Sequence, residues 1–210
     1  MKAIVALHLL EAMRDQDTPP ELLEEEDTTV TLPRRLGLSD VVGRQIRSFR
    51  EDVRRGARLT DGEIQDLFRL VIRRPDAGEI FFKLGKSLAG ERGRGWRRLL
   101  PHGMAVALAR SRVRRRLKSL FGRRVGGFGR GAFCIEGRAL IFIEADPEGD
   151  ACALVTGLSE AAMEQATGRR AHVSHSLCQS RGDALCRWEG DLLEGTHEPP
   201  PAPALEPGTG

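Results

Sequence analysis

The sequence predicts an α/β protein with an antiparallel sheet, an N-terminal helical extension and a Cys/His set suited to a structural zinc site. Apolar residues recur at helical spacing as far as Phe121, whereas short strand-like segments bounded by glycines follow. Three of the four cysteines and one histidine then fall close together in the C-terminal part of the chain. These four residues are Cys152, His175, Cys178 and Cys186.

Composition favours one compact domain with extensions. The chain has 210 residues, of which 40% are hydrophobic and 30% charged, so we expect a modest core. We find no run of about 18 apolar residues and no small-residue cleavage site after Met1–Arg14. We therefore expect a cytoplasmic protein with reduced thiols, in which clustered Cys and His favour a metal site over disulfides.

The first part of the chain is predicted to be helical with an acidic interruption. Residues 3–14 form an apolar helix, and prolines break the acidic segment 15–37 into a loop or extended arm. Ser39 caps a predicted helix over 40–55, with Val41, Ile46, Phe49 and Val53 near one face. Residues 1–75 are expected to be a helical extension that serves as an assembly face.

Three more helices are predicted from caps and apolar stripes. Thr60 and Glu63 form a capping box for a helix over 61–74. Asp76 caps the next helix, which carries Ile80, Phe81, Leu84 and Leu88. Pro101 begins a helix extending to Phe121, whose apolar stripe is Val106, Ala109, Val113, Leu117 and Leu120.

Residues 122–131 are rich in glycine and are expected to be a flexible connection into the sheet. After them, the spacing of apolar residues becomes typical of strands. We predict strands at 132–136 and 139–145, a helix at 151–167, and a hairpin of strands 171–178 and 184–188. The residues beyond Glu194 are proline-rich, and 193–210 is expected to be a disordered tail. Residues 76–192 then make up the main domain.

The Cys/His quartet leaves two interpretations open on spacing alone. A Cys₃His set closes a tetrahedral zinc shell, and the predicted hairpin brings Cys178 near Cys186 with Cys152 at a helix start above them. Without a CxxC pair, however, buried thiols and a surface histidine fit the same spacing. Cys134 lies outside the pattern, and we expect it to be a buried strand thiol.

The stretch CALVTGLSEAAMEQATGRRAHVSHSLCQSRGDALCRWEG resembles the end of the vinyl-4-reductase-type small-molecule-binding domain. The shared features are Cys152 with Gly157, the helix end at Thr167-Gly168-Arg169, and the hairpin segment Gly182–Trp188. The same domain senses aromatics in phenol- and toluene-responsive transcription activators and is similar to subunits of TRAPP-type tethering complexes. The resemblance covers 77–192, with its specific motifs in 152–188.

The resemblance implies a zinc site and an apolar pocket. In the aromatic sensors three Cys and a Glu hold zinc; Cys152, Cys178 and Cys186 match the cysteines, and His175 falls where the family has Glu. The implied fold is a sheet flanked by helices around a pocket for a hydrophobic or aromatic molecule. The candidate ligand-binding residues are His102, Trp96, Phe128, Phe133 and Phe142, and Phe81 and Phe82 are further lining groups. Plain core positions for the phenylalanines and a solvated His102 remain alternatives.

The expected function is a non-enzymatic sensory or binding module, dimeric, holding a hydrophobic small molecule and acting through a partner protein. The alternative is a TRAPP-like scaffold or adaptor that works through protein–protein contacts. Nucleic-acid binding through the basic helix segment 110–118 is disfavoured, although the surrounding residues 91–124 carry twelve Lys or Arg against one Glu. The acidic segment 11–27 offers those cations an internal or cross-subunit partner. No nucleophile–base pair or open metal site favours an enzyme.

Overall fold

The protein is described here by a computed structural model that covers residues 2–17, 40–90, 101–121, 133–138 and 146–193. Within these ranges it is a mixed α/β protein with six helices and a three-stranded antiparallel sheet. The predicted strand at 139–145, the glycine-rich crossing at 122–131 and the tail beyond Leu193 lie outside the described residues.

The helices follow the predicted order, with small shifts at their ends. Their bounds are α1 Ile4–Asp17, α2 Asp40–Arg54, α3 Asp61–Ile72, α4 Ala77–Leu88, α5 His102–Phe121 and α6 Ala153–Thr167. A 3₁₀ turn over Asp150–Cys152 leads into α6. The prediction for the first helix stopped at residue 14, three residues short of its end. Pro101 immediately precedes α5, and its carbonyl accepts hydrogen bonds from the first-turn amides of Met104 and Ala105.

The strands are β1 Phe133–Gly137, β2 Ala171–Leu177 and β3 Cys186–Leu192, and β3 lies between the other two. β3 is longer than the predicted 184–188 and begins later. Its extension contains Gly190, where a Cβ atom would lie only 2.7 Å from the sulfur of Met163 and 3.0 Å from Phe133. A side chain at this position would push the sheet away from α6, so glycine allows the strand to continue under the helix.

Side-chain hydrogen bonds and ion pairs define both ends of α3. The capping box of α3 is confirmed: the Thr60 hydroxyl accepts from the Glu63 amide, and the Glu63 carboxylate accepts from the Thr60 amide. Asp76 occupies the predicted N-cap position of α4, but its side chain makes no capping hydrogen bond, because its carboxylate instead accepts two hydrogen bonds from Arg74. Arg74 also pairs with Asp17 and so ties the end of α1 to this turn.

A single cluster of buried side chains joins α1 to the helices and strands that follow it. The predicted stripes of α4 and α5 are buried throughout, as are Ile64, Phe68 and Val71 of α3. On α2, Ile46 is buried and Phe49 and Val53 are half-buried, but Val41 is 46% exposed, contrary to the prediction. Among the described residues, α2 packs mainly on α1. This contact leaves part of the apolar face of α2 exposed.

The most buried helix is α6, which packs on α4 and α5 and against the sheet. Ten of its fifteen residues are buried, on all sides of the helix. Its approach to α4 is very close at two glycines. A Cβ atom at Gly85 would lie 2.0 Å from the carbonyl oxygen of Leu154, and one at Gly157 would lie 2.1 Å from that of Phe82. Any other residue at either position would force the two backbones apart.

We predict that Gly85→Ala lowers the free energy of unfolding by about 1–3 kcal/mol or more, because the new methyl group collides with backbone that cannot rotate away. Gly78→Ala on the same helix is the matched control. A Cβ atom there lies 3.8 Å from its nearest neighbour, and alanine favours the helix by about 1 kcal/mol. Urea denaturation of both variants measures the difference; equal stabilities would contradict the close helix crossing.

Candidate metal centre

The four residues predicted as metal ligands lie together in the structure. One ligand atom from each of Cys152, His175, Cys178 and Cys186 lies within 4.8 Å of the others. The three cysteines are buried and His175 is half-buried. None of the three forms a disulfide. The arrangement connects the start of α6 with the hairpin of β2 and β3, as the sequence predicted.

Cys152 is placed by a turn built on a buried carboxylate. Asp146 is fully buried, and its two oxygens accept the amide hydrogens of Gly149 at 3.0 Å and Ala151 at 2.6 Å. Gly149 has φ +88° and passes directly over the cluster, so that a Cβ atom would lie 2.8 Å from the Cys178 sulfur. The turn therefore places Cys152 at the N-terminus of α6, next to the sulfur of Cys178.

Cys178 and Cys186 flank a short turn with its own hydrogen bonds. The Asp183 carboxylate accepts the amide hydrogen of Cys178 at 2.7 Å, and Gly182 takes φ +98° to bring Asp183 back. The Gln179 amide donates to the Cys186 sulfur at 3.3 Å. Gly182 and Asp183 thus have a structural role in this hairpin, because they close the turn that sets two ligands side by side.

His175 reaches the cluster because of an irregularity in β2. In an unbroken strand, positions 175 and 178 would face opposite sides of the sheet. The pairing register shifts by one residue between His175 and Leu177, which brings Leu177 opposite Arg187. The next residue, Cys178, then lies in the same cluster as His175 and Cys186. The imidazole also stacks on Trp188, with ring centroids 4.7 Å apart and planes 9° from parallel.

The chemistry of these donors fits zinc. The Nε2 atom of His175 is buried and has no hydrogen-bond partner among the described residues, as expected of a nitrogen kept for a metal. Three sulfurs and one imidazole nitrogen form a common structural zinc set, which fills a tetrahedral shell with no open position. With three thiolates, a bound Zn²⁺ would leave the centre with a net charge of about −1.

The pKa values of Cys152 and Cys186 are shifted in opposite directions. The hydrogen bond from the Cys152 thiol, helped by the nearby His175 imidazole and the Gln179 amide, lowers the pKa of Cys186 to about 4. The pKa of Cys152 is raised, first by donating to the Cys186 sulfur and then by burial. These opposite shifts in pKa arise because the two sulfurs lie within hydrogen-bonding distance, and a divalent cation bound between them would favour the thiolate form of each ligand.

The predicted ligand-binding residues are not gathered in the described part of the chain. His102 is exposed at the start of α5. Phe133 is buried in β1, where it lies beside Gly190. Trp96, Phe128 and Phe142 lie outside the described residues. Of the further lining groups, Phe81 is a core residue with its ring 5.1 Å from that of Phe68, and Phe82 is half-buried beneath Lys86. Cys134 lies in β1 but is half-buried, not buried as predicted.

Three supporting residues were not anticipated from sequence. Asp146 and Gly149 belong to the segment Asp146-Pro147-Glu148-Gly149, which carries the residue preferences of a type I turn and could have been recognised as such. Glu160 is buried on α6 and accepts the amide hydrogen of Val173, a residue of β2. No local pattern marks Glu160, because its partner is a backbone group on another element.

The fold and the cluster together define a mixed α/β protein with a candidate Cys₃His metal centre. Comparison of the chain with models of protein families, with curated proteins and with solved structures found no match. Among the described helices, none is both long and apolar enough to cross a membrane.

Gly149→Ala should disrupt the candidate metal centre more than Gly182→Ala does. Both substitutions place a side chain at positive φ, at a cost of roughly 1–2 kcal/mol. Only the first also pushes a methyl group into the Cys178 sulfur, whereas a Cβ atom at Gly182 meets nothing within 4 Å. Denaturation curves and zinc content measured on both variants would show a greater loss for Gly149→Ala. Identical losses would mean that Gly149 does not pack on the ligand set.

Proposed function

We propose that this protein is a non-enzymatic binding module, dimeric, that holds a hydrophobic or aromatic small molecule and is stabilised by a structural zinc ion. The observation that supports the zinc most strongly is the convergence of three cysteines and a histidine, with four donor atoms within 4.8 Å. Because four protein donors fill a tetrahedral shell, the ion's role in this proposal is to support the fold.

The ligand-binding part of the proposal depends on the resemblance to the vinyl-4-reductase-type domain. The residues that carry the resemblance are the same ones that build the centre: Cys152 before α6, and the turn in which Asp183 binds the Cys178 amide. A hydrophobic ligand is the class that this domain takes elsewhere. The zinc would hold α6 to the hairpin and so keep one wall of such a pocket fixed.

A scaffold role in the manner of TRAPP subunits is the second candidate. It is favoured by the apolar groups that the N-terminal helices leave uncovered. Leu70 on α3 is 55% exposed, and Phe49 and Val53 on α2 are only half-buried. α1 is part of the central core, so deleting residues 1–75 would expose that core and could not test this role. Measurements on the intact chain are required.

We expect one zinc ion per chain, lost in Cys178→Ser and retained in Cys134→Ser. Cys178 supplies one of the clustered sulfurs, whereas Cys134 lies on β1 outside the cluster. Losing the ion should cost on the order of several kcal/mol of stability, because metal binding is coupled to folding. Elemental analysis gives the stoichiometry, and the absorption spectrum of the Co²⁺-substituted protein reports tetrahedral thiolate ligation. Absence of metal from the wild-type protein, with failure to bind added Zn²⁺, would overturn the proposal.

Native mass spectrometry of the full chain tests the ligand and the assembly together. The binding-module proposal expects a dimer carrying a retained small molecule, or a dimer whose thermal stability rises with added hydrophobic aromatics. The scaffold alternative expects no such ligand and an assembly broken by Leu70→Glu. A monomer that neither retains nor responds to hydrophobic molecules would contradict both.

A further inference from the structure

A second site is formed by arginines on α5, away from the metal centre. A cavity of about 320 Å³ lies between α5 and α6 and is lined by Arg112, Arg115 and Arg116. Leu158 and Ala162, both buried residues of α6, form an apolar wall, and Gln165 lies on the same side. No acidic residue is among the described groups that line it. This volume lies within the range of small-molecule sites.

The cations of this cavity are not neutralised by the described acidic residues. The Nη1 atom of Arg112 is buried and lacks a hydrogen-bond partner within the described ranges, although a buried charged donor without one is costly. The acidic segment 11–27 was expected to offer partners. Its described members instead pair elsewhere: Glu11 with Arg50, Asp15 with Arg14, and Asp17 with Arg74.

The frame of the cavity is held by hydrogen bonds to the end of α4. Arg116 donates from Nε to the Leu88 carbonyl at 2.6 Å, and Gln165 donates to the Gly90 carbonyl at 3.0 Å. Arg116 uses only its Nε atom in these bonds. Within the described ranges, its two Nη nitrogens therefore remain available to donate to a ligand. The site is therefore pre-positioned on two helices, and it combines several guanidinium donors with an aliphatic surface.

We propose that this cavity binds a small organic oxyanion, a phosphate or carboxylate joined to a short apolar group. The oxyanion accepts hydrogen bonds from Arg112, with Arg115 and Arg116 adding charge, because guanidinium forks match such groups. The apolar part lies against Leu158 and Ala162. A concave site with an apolar wall suits a small molecule better than a nucleic-acid strand, which would follow the exposed face of α5. The inference does not depend on the zinc or on a hydrophobic ligand.

The test is isothermal titration of the intact protein with n-butyl phosphate and with inorganic phosphate, at constant ionic strength set with KCl. We expect saturable binding of both, tighter for butyl phosphate, and no response to n-butanol. Arg112→Gln should weaken binding at least about tenfold, because a hydrogen bond to a charged group is lost. Arg115→Gln, at an exposed position that does not endanger folding, should weaken it several-fold.

Arg114→Gln is the matched control, because it removes the same charge from the same helix but does not line the cavity. Its affinity should change by less than about twofold. Three results would overturn the proposal: no saturable binding, binding unaffected by both Arg112→Gln and Arg115→Gln, or equal losses in all three variants. Equal losses together with salt-sensitive oligonucleotide binding would assign α5 to a nucleic-acid surface instead.

Discussion

The close contact between α4 and α6 is the constraint on which the rest of the structure depends. At Gly85 and Gly157 the two helices approach so closely that neither position has space for a methyl group. This contact fixes α6 in the middle of the molecule, with α4 and α5 packed on it and the sheet against it. Both candidate sites use that helix: the 3₁₀ turn before it carries Cys152, and its later turns supply Leu158, Ala162 and Gln165 to the arginine cavity.

Around the candidate metal centre, carboxylates accept hydrogen bonds from the backbone and are not members of the Cys/His cluster. Asp146 accepts the amides of Gly149 and Ala151, Asp183 accepts that of Cys178, and Glu160 accepts that of Val173. Hydrogen bonds from backbone amides to ionised carboxylates are among the stronger ones in proteins. The turns that carry the cysteines are therefore held by their own hydrogen bonds, and a metal ion would complete an arrangement that the chain already favours.

The sequence predicted correctly those features that depend on residues close together in the chain. Helical periodicity located the buried stripes of α4 and α5, and the pair Thr60 and Glu63 formed the expected capping box. Residue type and spacing also identified the four members of the Cys/His cluster. These features depend on neighbours within a few positions, so a single chain is enough to recognise them.

Features that depend on distant partners could not be read in the same way. Asp76 has the residue type of a helix cap. Its carboxylate nevertheless forms a bidentate ion pair with Arg74 and makes no hydrogen bond to the first-turn amides of α4. The register shift in β2 aligns His175 with Cys178, yet it exists only relative to β3. The glycine contact likewise needs two helices in place. Each is a tertiary effect that overrides or supplements a local preference.

The distribution of charge gives the strongest reason to look beyond the metal centre. The described acidic residues of α1 are paired with arginines at positions 14, 50 and 74, which leaves the cations on the inner side of α5 without them. Folding such a helix against α6 places positive charges near one another and buries one guanidinium nitrogen. An arrangement of that kind costs stability unless an anion offsets it. The oxyanion that we propose for this cavity would supply that offset.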